Sequence, residues 1–239
     1  MRIGVFDSGL GGLTVLKSLS SKYPNNEYIY FGDTLNMPYG NKTREKLYEL
    51  SSKIVEFLIK QKVDLIVIAC GTISSNNYQE LKKNYNIPIY DILTPTINYL
   101  KNNNLNNIGV IATEMTIKSG IFDTIENIVQ IACPKFVPLI EKDKINTLEM
   151  EEAIKEYLTK DKIDNLVLGC THYPLIGDKI NEVLKRDINF INMGDILTQN
   201  IKVNDSQYKL NFYFSKLNSN VLKKLAEMFD NYEIEEMEL

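Results

Sequence analysis

The sequence predicts an α/β protein of two similar lobes, each a mostly parallel sheet flanked by helices, with a ligand cleft between them. Three observations lead there. Short β-branched or aromatic runs alternate with longer amphipathic stretches, the pattern of strand and crossover helix in a parallel sheet. Two runs, IVIA at 66–69 and LVLG at 166–169, are apolar throughout, as strands covered by helices on both faces must be. Finally, KVDLIVIACGT at 62–72 aligns without a gap with KIDNLVLGCTH at 162–172, each a strand ending in a cysteine, Cys70 or Cys170. Open α/β sheets bind ligands beyond the carboxyl ends of their strands. Two facing lobes therefore bring both thiols to one cleft.

In chain order the expected strands are Arg2–Phe6, Glu27–Phe31, Asp64–Ala69, Asn107–Ala112 and Asn165–Gly169, each a compact apolar run bounded by turn-forming residues. The first runs into Asp7-Ser8-Gly9-Leu10-Gly11-Gly12, after which a helical pattern begins near Leu13. A helix over Thr43–Lys60 is opened by Thr43 as cap, with Glu45 in its first turn. The polar tract Lys101–Asn107 is a surface loop before the next strand. Further helices are expected at Glu149–Leu158 and Pro174–Leu184, where Pro174 suits a first-turn position. The Glu-rich end, Glu233–Glu238, reads as a solvated, frayed tail.

Composition narrows the function classes. At 239 residues, 44% hydrophobic and 24% charged, the chain suits one large globular domain or two small ones. No apolar run approaches the ~18 residues of a membrane span, and MRIGVFDSG lacks the long apolar stretch and cleavage site of a signal peptide. The expectation is a cytoplasmic protein without a membrane partner. Three cysteines, an odd number, favour free thiols over a disulfide framework. A net charge of −4 argues against a broad nucleic-acid face and for small-molecule chemistry.

The turn Asp7–Gly12, between strand and helix, is an expected anion site, because backbone N–H groups and the helix dipole converge there. Thr14 stands where a dinucleotide fingerprint needs its third glycine, which disfavours NAD. Asp7 and Ser8 either serve such a site or simply cap the helix. Cys70 and Cys170 each lie beside a threonine, Thr72 or Thr171, and near an expected helix N-terminus, which lowers a thiol pKa below its usual ~8.5. A lone strand-end cysteine is a small apolar residue. Two thiols from opposite lobes can instead remove a proton from a carbon stereocentre and return one to its other face, which is racemisation.

His172, the only histidine, either packs structurally or tunes the adjacent Cys170. A zinc site of Cys70, Cys170 and His172 lacks a CxxC pair and a fourth ligand, so no metal is expected. Cys133, in QIACPKFVPL, is assigned to packing. The loop Asp33-Thr34 to Pro38-Tyr39-Gly40 either closes over a ligand or only shapes a turn. Glu141 is either a solvated turn residue or a carboxylate supporting the site.

Taken together, IGVFDSGLGGLTVL, FGDTLNMPYGNKT, IVIACGT, ATEMTIKSG, ACPKFVPLIE and LVLGCTHYPL, spread over residues 3 to 175, resemble the glutamate racemase family of the cofactor-independent aspartate/glutamate racemase superfamily. The resemblance implies a first lobe of residues 1–93 and 206–239 and a second of 94–205. It also implies interconversion of L- and D-glutamate for peptidoglycan, with no cofactor and no metal, in a homodimer. Cys70 and Cys170 would be the acid/base pair, the first deprotonating the D-isomer and the second the L-isomer. Asp7 and His172 would tune them, and Glu141 would assist. Ser8, Tyr39, Gly40, Thr72, Thr113, Thr116 and Thr171 match positions that hold substrate.

The chain departs from the family pattern in three places. Gly71 stands where ACNT has an asparagine that contacts substrate, a loss of about 1–3 kcal/mol if nothing replaces it. FINMG replaces an FIDSG-like segment at 190–194, and the chain beyond 205 matches poorly. Gly71 leaves open a racemase of another amino acid, and a non-catalytic amino-acid-binding paralogue is the alternative from a different class.

Overall fold

A computed structural model describes residues 1–239. Two parallel sheets organise it. The first contains β1 (Arg2–Asp7), β2 (Glu27–Gly32), β3 (Leu65–Ile68), β4 (Ile89–Asp91), β9 (Lys209–Phe214) and β10 (Glu233–Glu236), in the order β10-β9-β2-β1-β3-β4. The second contains β5 (Ile108–Ala112), β6 (Val129–Ala132), β7 (Asn165–Leu168) and β8 (Asn189–Ile191), in the order β6-β5-β7-β8. The internal correspondence seen in sequence extends to topology. The order β2-β1-β3-β4 repeats as β6-β5-β7-β8, and Leu65 pairs with Ile3 as Asn165 pairs with Ile108.

Three helices lie where the sheets face one another: α1 (Gly12–Lys22), α5 (Leu93–Asn102) and α10 (Met193–Asn200). Their apolar faces join the inner faces of both sheets in one shared core, which includes Val5, Leu16, Val67, Val110, Val167 and Leu197. The outer face of the first sheet is covered by α2 (Arg44–Lys60), α3 (Gly71–Asn76) and α4 (Tyr78–Asn84), and that of the second by α7 (Phe136–Glu141), α8 (Leu148–Leu158) and α9 (Gly177–Leu184). This explains the continuous apolar runs. Leu65 and Val67 face the shared core while Ile66 and Ile68 face the outer one, and β7 divides in the same way.

Local signals hold at most boundaries. The Thr43 hydroxyl accepts from the Lys46 N–H at 3.3 Å, capping α2, and Thr113 caps α6 (Glu114–Lys118) at 3.2 Å. Two expectations change. The single helix over Pro174–Leu184 is a 3-10 turn, Tyr173–Ile176, followed by α9, because Ile176 leaves helical geometry (φ −116°, ψ 9°). The expected tail at Glu233–Glu238 contains β10, which pairs with β9, and the Met237 N–H donates to the Phe214 carbonyl at 2.8 Å. Ile234 packs on the shared core while the glutamates face solvent, a charged outer edge that discourages further strand pairing. The short strands β4, β6 and β8, of three or four residues, carried too little pattern to be expected, and β9 lies beyond residue 205, outside the motifs that carried the resemblance.

Candidate active site

Cys70 lies two residues beyond β3 as the residue that precedes α3, and Cys170 lies two residues beyond β7, the matching position of the second sheet. Both are buried, at 4% and 7% exposure, and both line one pocket enclosing about 710 Å³ of empty space, part of it open to solvent. Ser8, Tyr39, Gly40, Gly71 and Thr72 line it from one side, and Thr113, Thr171 and His172 from the other. Three further expected residues stand behind this wall. Asp7 is fully buried, Thr116 lies beneath Thr113, and Glu141 lies beyond His172.

The glycine-rich turn does not present an open anion site. The N–H groups of Gly9 and Gly12 donate to Asp7 Oδ2 at 3.2 and 2.8 Å, so this carboxylate fills the helix N-terminus. The turn instead receives the second lobe. A Cβ at Gly11 would lie 2.3 Å from His172 Nδ1, and one at Gly9 would lie 2.9 Å from Glu141 Oε1. The Thr14 hydroxyl adds a contact to the Thr171 carbonyl at 2.9 Å. A side chain at Gly11 would displace the His172 ring or force the lobes apart, and one at Gly9 would push back the Glu141 carboxylate.

Behind each thiol stands a different set of groups. Cys170 Sγ is 3.7 Å from His172 Nδ1, and His172 Nε2 is 2.5 Å from Glu141 Oε1, all three nearly inaccessible to solvent. Burial alone would push the imidazole pKa down, but the hydrogen bonds and charges of Cys170 and Glu141 outweigh it and hold His172 well above its ordinary value. Cys70 Sγ is 3.8 Å from the Ser8 hydroxyl. Burial, reinforced by the nearby Asp7 carboxylate, pushes the Cys70 thiol up, opposite to the lowering expected from a helix N-terminus. The reason is that α3 is a six-residue helix and no cation lies among the groups acting on Cys70 to offset its desolvation. Burial also raises Asp7, against the opposing pull of His172 and the turn's N–H groups.

Hydroxyls bridge the lobes on the remaining side. Thr72 Oγ1 and Thr113 Oγ1 are 3.0 Å apart, and Thr113 Oγ1 is 2.9 Å from Thr116 Oγ1. Gly71 makes a close backbone approach between the lobes, since a Cβ there would lie 2.7 Å from the Gly169 carbonyl oxygen. Cys133 is packed in the outer core of the second sheet, as expected, and also borders the pocket. Met37, Asn41, Glu114, Pro134, Val137 and Pro138 line the pocket too. They carried no signal of their own, being neighbours in sequence of the residues singled out. No three His, Cys, Asp or Glu side chains gather in a metal-binding arrangement. Chemically, this pocket holds a thiol from each sheet together with the hydroxyls of Ser8, Thr72, Thr113 and Thr171.

The family model described as Asp/Glu/Hydantoin racemase matches residues 14–201. Glutamate racemase of Aquifex aeolicus (strain VF5) is 36% identical over 98% of this chain and 96% of its own length. The crystal structure of glutamate racemase from Francisella tularensis in complex with D-glutamate aligns with a TM-score of 0.83 at 32% identity, covering 99% of this chain and 97% of that one. That of the Thermus thermophilus glutamate racemase in complex with Beta-chloro-D-alanine aligns with a TM-score of 0.84 at 29% identity, over 100% and 97% of the two chains.

Proposed function

The chain belongs to the Asp/Glu/Hydantoin racemase family and is an amino acid racemase, and from this we propose that it interconverts L- and D-glutamate by proton transfer between Cys70, Cys170 and the substrate α-carbon. One observation carries the reading: two strand-end thiols line one pocket from equivalent positions of two similar sheets. The relatives named above, glutamate racemases along nearly the whole chain, support glutamate over another amino acid in spite of Gly71.

In each turnover one cysteine, as thiolate, takes the α-proton while the other, as thiol, delivers its own proton to the opposite face. The electron pair of the broken C–H bond passes to the new one. The two cysteines end with their protonation states exchanged, so one arrangement serves both directions. Cys170 acts on the L-isomer and Cys70 on the D-isomer. A protonated His172, held by Glu141, stabilises negative charge on Cys170. Ser8 stands beside Cys70, with Asp7 behind it.

The α-proton of an amino acid is very weakly acidic, so carbanionic charge must be stabilised as it forms. Hydroxyls of Ser8, Thr72, Thr113 and Thr171, with backbone N–H groups at Tyr39 and Gly40, are the donors assigned to the carboxylates, each worth roughly 2–4 kcal/mol where aimed at developing charge. Thr116 holds Thr113 in place. Exclusion of water strengthens these interactions, and closure of lobes 1–93 with 206–239 onto 94–205 provides it. Family resemblance supports the remaining parts of the proposal: no cofactor or metal, D-glutamate supplied to peptidoglycan, a cytoplasmic homodimer. No helix is long and apolar enough to cross a membrane.

The test is proton NMR of the enzyme with L- and then D-glutamate in D₂O without added cofactor. Loss of the α-proton signal, with the other enantiomer appearing by circular dichroism, is the expected result. Cys70→Ala and Cys170→Ala should each reduce racemisation by at least a thousandfold, because either loss breaks the relay. Binding of glutamate without exchange would overturn the racemase assignment, and retained turnover in either variant would overturn the two-thiol mechanism.

A further inference from the structure

The pocket wall at Tyr39 is held by residues far from it in sequence. Asp33, directly after β2, is 4% exposed, and its carboxylate accepts three hydrogen bonds. Tyr39 Oη donates to Oδ2 at 2.5 Å, Ser215 Oγ donates to Oδ1 at 2.7 Å, and Asn36 Nδ2 donates to Oδ1 at 3.0 Å. Ser215 follows β9, and its hydroxyl in turn accepts from the Leu35 N–H at 2.8 Å. Lys216 N–H donates to Thr34 Oγ1 at 3.0 Å, and the Thr34 hydroxyl donates back to the Lys216 carbonyl. The loop 33–41 is thus fastened at its base to the end of β9, while Pro38, Tyr39, Gly40 and Asn41 line the pocket.

Such a cluster rigidifies when every member is satisfied, and both oxygens of Asp33 are. Tyr39 is 2% exposed, and its ring is fixed by the bond to Asp33 rather than by solvent. Burial and the neighbouring Asp33 carboxylate push the Tyr39 hydroxyl well above its ordinary pKa, so it remains a donor throughout the neutral range. Phe31 and Phe57 pack as a tilted pair with centroids 5.4 Å apart, Tyr213 packs edge-on to Phe57, and this aromatic group anchors β2 and β9 beneath the loop.

We propose that Asp33 and Ser215 are positioning residues for substrate binding: through Tyr39 they set the pocket wall formed by Tyr39 and Gly40, making the C-terminal strand β9 part of the active-site scaffold. This inference rests on the racemase reading for its kinetic readout only. Neither residue touches the pocket. Their effect is on the geometry with which the wall meets a carboxylate of the substrate, and it therefore falls on binding rather than on proton transfer.

The experiment compares Asp33→Asn, Tyr39→Phe, the double variant and Ser215→Ala by steady-state kinetics in both directions, with melting temperature followed in parallel. KM for glutamate should rise about tenfold in Asp33→Asn and severalfold in Ser215→Ala, with kcat changed less than about threefold. The double variant should resemble Asp33→Asn alone, because both changes break one connection. A fall in melting temperature with unchanged KM would overturn the proposal, as would strictly additive effects of Asp33→Asn and Tyr39→Phe. Crystal structures of Asp33→Asn and Ser215→Ala supply a readout independent of activity. Displacement of Tyr39 and Gly40 from the wall supports the proposal, and an unmoved wall overturns it, even if the wild-type protein leaves glutamate untouched and the racemase reading falls.

Discussion

Gly71 shows how a single residue changes meaning between sequence and structure. Against the family pattern it is a lost asparagine, and restoring the side chain would be expected to help. In the folded chain the first side-chain atom at this position would lie 2.7 Å from the Gly169 carbonyl oxygen. The oxygen is backbone and a Cβ is fixed by its own backbone, so neither can rotate away and the two strand ends must separate. Gly71→Asn should therefore lower kcat/KM by about tenfold or more, since overpacking costs roughly 1–3 kcal/mol; an unchanged or higher value would refute the steric account. His172 offers a second measurement, because it is the only histidine. Its folded pKa lies above the unfolded ~6.5, so the stabilisation it contributes is complete below about pH 6.5 and is lost as pH rises through the folded value. Removing the carboxylate partner in Glu141→Gln should move the imidazole titration, followed by NMR, to lower pH and reduce that contribution. A titration midpoint equal to wild type would show that Glu141 does not support the imidazolium.

At the scale of the element, the C-terminal strands do more than close the sheet. β9 pairs along the whole of β2, from Lys209 opposite Glu27 to Phe214 opposite Gly32, and carries Ser215 to Asp33. β10 protects the other edge of β9, and Glu236 accepts the Leu217 N–H at 2.6 Å. Deleting residues 232–239 would remove the ring contact of Tyr232 with Phe212, the packing of Ile234 and the β10 ladder. A loss near 2 kcal/mol is expected, lowering the melting temperature by about 4–8 °C for a chain of this length. A melting temperature unchanged by the deletion, measured calorimetrically, would mean that β10 contributes nothing to stability. The pairing of this segment is not legible in its own residues. Its glutamates report only the exposed edge, and the pairing that orders it comes from a strand about twenty residues earlier.

For the whole molecule, the decisive feature is the shared core between the sheets. Because α1, α5 and α10 fill the space between the sheets, neither sheet has an inner core of its own. The Ser18 hydroxyl donates to Asp195 at 2.6 Å and Thr14 reaches Thr171, so polar contacts cross the same interface. Thermal unfolding should accordingly appear as one cooperative transition, with calorimetric and van't Hoff enthalpies in agreement. Two resolved transitions would mean that the lobes are energetically independent. The shared core also confines relative motion to small adjustments at the cleft, where glycines permit close approach, rather than wide separation.

The sequence by itself determined the α/β class, the central strands, the paired cysteines and their common pocket. These follow from local periodicity and from an ungapped internal match, both of which survive in one dimension. Only the tertiary structure decided what the glycines of the turn receive, which way the Cys70 and His172 pKa values move, and that the tail is a strand. It also decided that Asp33 and Ser215 meet. Each of these depends on burial or on contacts between residues far apart in the chain, and desolvation and close approach are properties of the packed molecule that no local pattern encodes.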